Sequence, residues 1–173
     1  MVGQSWHSPN DWYATNILGQ SSLIQAIGRM SNVPSYIHFS TPEVYGNTAL
    51  PVKEDVVHLP STPYALSRST GDKLTELWCK HANIPLTIVR ASSLYCECQH
   101  LYRLIPKAFL AAVRGVPFYL EGDGLSVRHF LHMHDVSTAL LLLISEENKE
   151  FQSYHLSSSQ SFTIAQILSM VFE

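Results

Sequence analysis

The stretch "STPYALSRSTGDKL", residues 61–74, decides how the chain is read. Pro63 stands where the first turn of a helix tolerates proline. Tyr64 and Arg68 lie four residues apart, one turn up the same helix face. A phenol beside a cation is one way to bring a proton-transfer group toward neutrality. The helix is expected from about 63 to 82, ending near Asn83 and Pro85.

Downstream, "PLTIVRAS" is β-branched and apolar, the pattern of a buried strand. Upstream, residues 11–30 carry Trp12, Ile17, Leu18, Leu23, Ile24 and Ile27 at helical spacing. A short apolar strand follows at Tyr36–Ser40. Residues 41–63 form a loop punctuated by Pro42, Gly46, Pro51, Pro60 and Pro63. Helix, strand, helix, strand is the alternation of an α/β fold with a parallel sheet.

The second half is less regular. "YRLIPKAFLAAVRG" reads as a helix closed by Gly115. "VPFYLEGDGLSVRHFLHMHD" reads as two short strands around the turn at Gly122–Gly124. A helix starts at Asp135, a strand lies in "FQSYHLSSS", and a last amphipathic helix begins with Ser161 as its expected cap.

Composition excludes several classes. The 173 residues are 46% hydrophobic and 14% charged, so the chain is globular. A formal charge of −3 gives no basic surface for nucleic acid. "ALLLLI" is far short of the roughly 20 apolar residues of a membrane span. Three cysteines and a start without a secretory pattern lead to the expectation of reduced thiols in a cytoplasm. "CECQH", residues 96–100, does not have the usual zinc pitch, and no metal is expected.

Taken in order, "SYIHFSTPEVYG", "STPYALSRSTGDKL", "LTIVRASSLYCECQ", "LIPKAF", "GDGLSVRHFLHMHDV" and "YHLSSS" resemble the extended short-chain dehydrogenase/reductase family, within it the nucleotide-sugar 4,6-dehydratases and 4-epimerases. The resemblance runs from about residue 11 to 173. It implies a partial Rossmann-like parallel sheet over residues 1–95, carrying the Tyr-x-x-x-Arg site, and a small α/β, mostly substrate-binding region over 96–173. It also implies NAD and a nucleotide-diphosphate sugar, oxidised at C4.

In that family Tyr64 matches the base, and Arg68 stands where a lysine lowers the tyrosine pKa and holds the nicotinamide ribose. Arginine keeps the charge but has a different shape and reach. Thr41 matches the residue that hydrogen-bonds the sugar hydroxyl, and Glu43 a second base. Pro42 stands where dehydratases carry the elimination acid, and proline has no proton to give. The resemblance places Ser40, Tyr64, Arg68 and Ala91 against NAD. It places Ser93, Arg103, Leu104, Lys107 and Arg128 against the nucleotide sugar.

The family's G-x-x-G-x-x-G turn is absent, so the opening βαβ units of the Rossmann fold are expected to be missing and the last helix cut short. Strand 36–40 then becomes a bare sheet edge, expected to pair in a homodimer or with a partner chain. The family's dimer contact through the helices near 11–30 and 63–82 makes Trp12, Leu74, Leu77 and Trp78 contact candidates. A non-catalytic module that binds a nucleotide sugar or a partner is the alternative reading.

Overall fold

The computed structural model describes residues 3–33, 35–48, 51–120, 122–146 and 150–173. The chain divides into two units, Met1–Ala91 with Glu146–His155, and Ser92–Ser145 with Leu156–Glu173. The fold is α/β with a parallel strand pair in each unit.

In the first unit, a helical run begins with α1 (Pro9–Tyr13), passes through a π-helical stretch (Ala14–Gly19) and continues as α2 (Gln20–Gly28). β1 (Tyr36–Ser40) follows, then the tight turn Pro42–Tyr45, then α3 (Pro63–His81) and β2 (Leu86–Ala91). Thr62 caps α3 by accepting the Ala65 amide at 3.1 Å. β1 and β2 run parallel, with Ser40 opposite Arg90, and the sheet order is β1–β2–β6, where β6 is Gln152–Leu156. β1 therefore has a single sheet neighbour among the described residues.

One side of the sheet packs on α2 and α3. Ile24, Cys79, Ile84, Leu86 and Ile88 form the core there, with Ile27, Val33, Tyr36, Leu74 and Ala82 against it. Burying each such aliphatic side chain is worth roughly 1.5–3 kcal/mol. Burial also pushes the Cys79 thiol up to about 11, so it packs as an apolar group. The buried face of α3 is mostly small: Ala65, Ser67, Ser69, Gly71 and Thr75 are all withdrawn from water. That lets the π-helical stretch come close. Asn16 donates from Nδ2 to Ser67 Oγ at 2.9 Å, and a Cβ at Gly71 would stand 2.7 Å from the Asn16 carbonyl oxygen.

The second unit contains β3 (Ser93–Tyr95), α4 (Leu104–Arg114), β4 (Val127–Arg128), β5 (Phe130–His132), α5 (Met133–Ser145), β7 (Phe162–Thr163) and α6 (Ile164–Phe172). β3 pairs with β5 in parallel, and β4 with β7 antiparallel. Gly115, at φ +63°, ends α4 in the left-handed conformation.

Two local expectations are corrected. The expected strands do not flank the Gly122–Gly124 turn; β4 and β5 both follow it. Pro117 removes a ladder donor before the turn, and Asp123 accepts the Leu125 amide at 2.9 Å, steering the chain toward β7 and the start of α6. The cap of α6 is Thr163, not Ser161: Thr163 Oγ1 accepts the Gln166 amide at 3.1 Å while Gln166 Oε1 accepts the Thr163 amide at 2.8 Å. The reciprocal pair satisfies two orphan donors, which a serine two residues earlier would leave open.

Gly71→Ala drives a methyl into the backbone of the π-helical stretch. It is expected to lower unfolding free energy by about 1–3 kcal/mol in urea titration, whereas Gly3→Ala, whose Cβ meets nothing within 4 Å, leaves it unchanged.

Candidate active site

The turn after β1 is built by its own residues. Thr41 is extended, and its Oγ1 accepts the Glu43 amide at 3.3 Å. That bond uses the hydroxyl as an acceptor and leaves its proton to give. Pro42 at the first position has no amide to satisfy and is exposed. Val44 and Tyr45 are buried, and Gly46 closes the turn at φ +71°. No side chain fits at Gly46, since a Cβ would lie 2.1 Å from the Leu59 carbonyl oxygen.

Tyr64 sits in the first turn of α3, half-buried, with its ring edge-on to Trp12 at 5.0 Å. One helical turn on, Arg68 Nη2 donates to the Phe39 carbonyl at the end of β1. Arg68 thus joins the tyrosine helix to the strand that delivers Thr41. Among the described residues no hydrogen bond links the side chains of Tyr64, Thr41, Glu43 and Arg68 directly. Ser40 and Ala91 stand at the carboxyl ends of β1 and β2, the rim where open α/β sheets bind ligands. Arg68 Nε is buried without an acceptor among the described residues. These residues suit the nicotinamide-ribose end of NAD. The sequence offers no glycine-rich turn for the pyrophosphate.

In the second unit Ser93 opens β3, its amide held by the His129 carbonyl at 3.0 Å. Arg103 caps α4 and is exposed, Leu104 begins the helix, and Lys107 lies one turn beyond Arg103 with its ammonium 5.4 Å from the Phe118 ring centroid. Arg128 is exposed on β4, and the one side-chain bond it makes among the described residues is a long 3.4 Å contact to the Val127 carbonyl. Its fork is available to an anion. Glu97 and His132 approach to 3.6 Å, but among the described residues no group of three or more His, Cys, Asp or Glu gathers as a metal site.

A polar cluster in the first unit was missed by sequence reasoning. Arg90, on the central strand, is 4% exposed. Its Nη2 donates to Asp72 Oδ2 at 2.7 Å and to His58 Nε2 at 3.2 Å; its Nη1 donates to Tyr45 Oη at 3.1 Å and Ser153 Oγ at 2.8 Å. His38 on β1 donates to Asp72 Oδ1 at 3.1 Å. Burial would raise the Asp72 carboxyl, but the bond from His38, the Ser40 hydroxyl and the Arg90 charge hold it below the usual range. Burial and the Arg90 charge push His58 down; burial also pushes His155 down, against the opposing pull of Glu54. The signal was present: an arginine within a largely apolar, buried strand needs a buried carboxylate.

The family described as NAD dependent epimerase/dehydratase matches residues 1–157, and the chain belongs to it. It is similar to dTDP-glucose 4,6-dehydratase of Neisseria meningitidis, 30% identical over 84% of this chain and 44% of that protein. It is also similar to the Salmonella typhimurium dTDP-glucose 4,6-dehydratase, 28% identical over 90% and 48%. Among solved structures, a Bacillus cereus UDP-glucuronic acid 4-epimerase with UDP-glucuronic acid and NAD covers 99% of this chain at 25% identity and TM-score 0.92, over 55% of its own length. A Streptomyces venezuelae dTDP-glucose 4,6-dehydratase with NAD bound gives 25% and 0.90, over 53%. The chain spans about half the length of these relatives.

Asp72→Asn leaves the Arg90 guanidinium buried without a counter-charge. It is expected to destabilise the protein by about 3–5 kcal/mol in chemical denaturation, far more than Lys73→Gln, whose exposed pair with Glu76 contributes less than about 1 kcal/mol.

Proposed function

We propose that this chain carries the catalytic and sugar-binding residues of an NAD-dependent nucleotide-sugar epimerase/dehydratase that acts by oxidation at sugar C4. The observation that carries the reading is Arg68 bound to the Phe39 carbonyl, which sets the Tyr64 turn of α3 beside the strand end that delivers Thr41. Tyr64 takes the proton of the C4 hydroxyl. Thr41 Oγ1, already accepting the Glu43 amide, donates its proton to the same sugar oxygen and fixes its direction. Arg68 favours the phenolate and directs its remaining donors to the nicotinamide ribose. NAD, when bound against Ser40, Tyr64, Arg68 and Ala91, supplies the hydride acceptor. Glu43 serves as a second base. Pro42 cannot protonate a leaving hydroxyl, which favours 4-epimerase-type chemistry over 4,6-elimination.

On the substrate side, Ser93 and Leu104 take the sugar and base, and Arg103, Lys107 and Arg128 take the diphosphate. The free thiols Cys79, Cys96 and Cys98 support a cytoplasmic setting. No helix of the described residues is long and apolar enough to cross a membrane.

Calorimetry with NAD, then with dTDP- or UDP-glucose, tests the reading. Binding at or below millimolar NAD and a nicotinamide absorbance change on adding sugar are expected. Tyr64→Phe keeps NAD binding and loses turnover by about 10²–10⁴-fold. Absence of NAD binding at millimolar concentration overturns it.

We also propose a homodimer through the α2/α3 face, or a partner chain along β1. Leu77 is 69% exposed on α3 and Trp78 37%, and Phe39 is partly exposed on the edge strand. Leu77→Asp should halve the mass in light scattering if the helices meet. An unchanged mass leaves β1 as the contact.

A further inference from the structure

Two segments must stay registered for the proposed chemistry: the Thr41–Tyr45 turn and the α3 turns that carry Tyr64 and Arg68. The Arg68 bond to the Phe39 carbonyl ties α3 to the end of β1 but does not reach the turn itself. The buried cluster around Arg90 does so.

The donor count determines its proton arrangement. Arginine can only donate, so Tyr45 Oη and His58 Nε2 both accept from Arg90. His58 must then carry its proton on Nδ1, which donates to Ser69 Oγ at 2.9 Å on α3. Tyr45, already an acceptor, donates its own proton to His155 Nε2 at 2.8 Å. His155 therefore carries its proton on Nδ1, pointing to the Val52 carbonyl at 3.1 Å. The His155 amide donates to Glu54 at 3.0 Å. Each bond has one consistent direction, and both imidazoles are neutral in it. A second proton on His155 would put two donors against Tyr45 Oη and leave the tyrosine proton without its acceptor. A second proton on His58 would face the Arg90 guanidinium.

We infer that Tyr45, Arg90 and Asp72 are positioning residues that lock the Thr41 turn and the end of β1 onto α3, and that neutral His58 and His155 complete the lock. It rests on the reading of those two segments as the reaction site. Tyr45 ends the turn that Thr41 begins, and its ring lies under the Arg90 guanidinium at 5.4 Å. Asp72 is one helical turn beyond Arg68 and two beyond Tyr64, and it grips β1 through His38. The Leu59 amide bonds to the Val44 carbonyl at 3.0 Å, so the segment carrying His58 closes on the same turn.

The groups facing the two imidazoles set the pH response. His155 meets Tyr45, Glu54 and Arg90; His58 meets Tyr45 and Arg90, with Asp72, Lys73 and Glu76 on α3. Both imidazoles hold folded values below those of the unfolded chain. As pH falls below about 6.5, the unfolded chain takes up protons first. The stability the neutral forms contribute is therefore full above about 6.5 and is lost as pH falls through the folded values.

Histidine-selective NMR titration, thermal unfolding and amide exchange test the lock without NAD or sugar, so their outcome is separate from that of the redox reading. In the wild-type chain His58 and His155 should be Nδ1-protonated and neutral at pH 7, and should titrate below the ordinary value. The melting temperature should be level above pH 7 and fall by at least about 3 °C between pH 6.5 and 5. His155→Gln keeps an acceptor and a donor but cannot titrate, and should shrink that fall. Tyr45→Phe should raise the His155 titration and speed amide exchange at Gly46 and Leu59 by roughly fivefold or more, the loss of one buried hydrogen bond. Ordinary titration of both histidines in the wild type overturns the inference. So does a Tyr45→Phe variant whose exchange at Gly46 and Leu59 is unchanged.

Discussion

Arg90 and Asp72 meet at 2.7 Å between β2 and α3, both almost entirely out of water. Either charge alone would be prohibitive there, because transferring an ion to a low-dielectric interior costs several kcal/mol even after relaxation. The pair survives because most of the donors and acceptors around it are assigned. Asp72 takes His38 and Arg90, and the other Nη protons of Arg90 go to Tyr45, His58 and Ser153, while its Nε is buried without an acceptor among the described residues. The net stability of such a pair against an apolar alternative is small. What it enforces is uniqueness. The partners come from β1, the turn after it, α3, β2 and β6, and a shift of any one leaves a buried charge or hydroxyl unpaired.

Much of the fold was readable because the chain punctuates itself. Tyr36–Ser40 and the strand after Pro85 are apolar runs between breakers, and α3 has Thr62 and Pro63 at its start. The readings that slipped concern partners distant in sequence. Residues 116–135 alternate well enough to suggest a hairpin, yet β4 pairs with β7 more than thirty residues later. Local pattern cannot choose between two possible partners when strands are only two residues long. The cap of α6 slipped for a related reason. Ser161 and Thr163 are both good cap residues, and only Gln166, three positions after Thr163, distinguishes them.

The proposed site was legible as a motif and illegible as a mechanism of support. Tyr64, Arg68 and Thr41 were named from their order within the family resemblance, and the proposed chemistry uses those side chains. His38, His58, Tyr45 and His155 could not, since they lie on separate elements and no spacing rule joins them. Arg90 was the exception. A charge inside a wholly buried strand predicts a partner, although it does not say that the partner is Asp72.

The support cluster also bears on Arg68. A lysine reaching from α3 presents a compact, rotatable ammonium. An arginine at the same place is longer and has a rigid fork, and it binds the Phe39 carbonyl. That anchor holds the guanidinium close to the end of β1, at the level of Ser40, while Asp72 and His38 grip the same strand one residue earlier. Two successive turns of α3 are thereby tied to consecutive residues of β1. With the strand end fixed twice, the Arg68 charge owes its position to the backbone. A substitution that looks like decay of a lysine motif thus still leaves an anchored cation on the tyrosine helix, one that depends on the ion pair behind it.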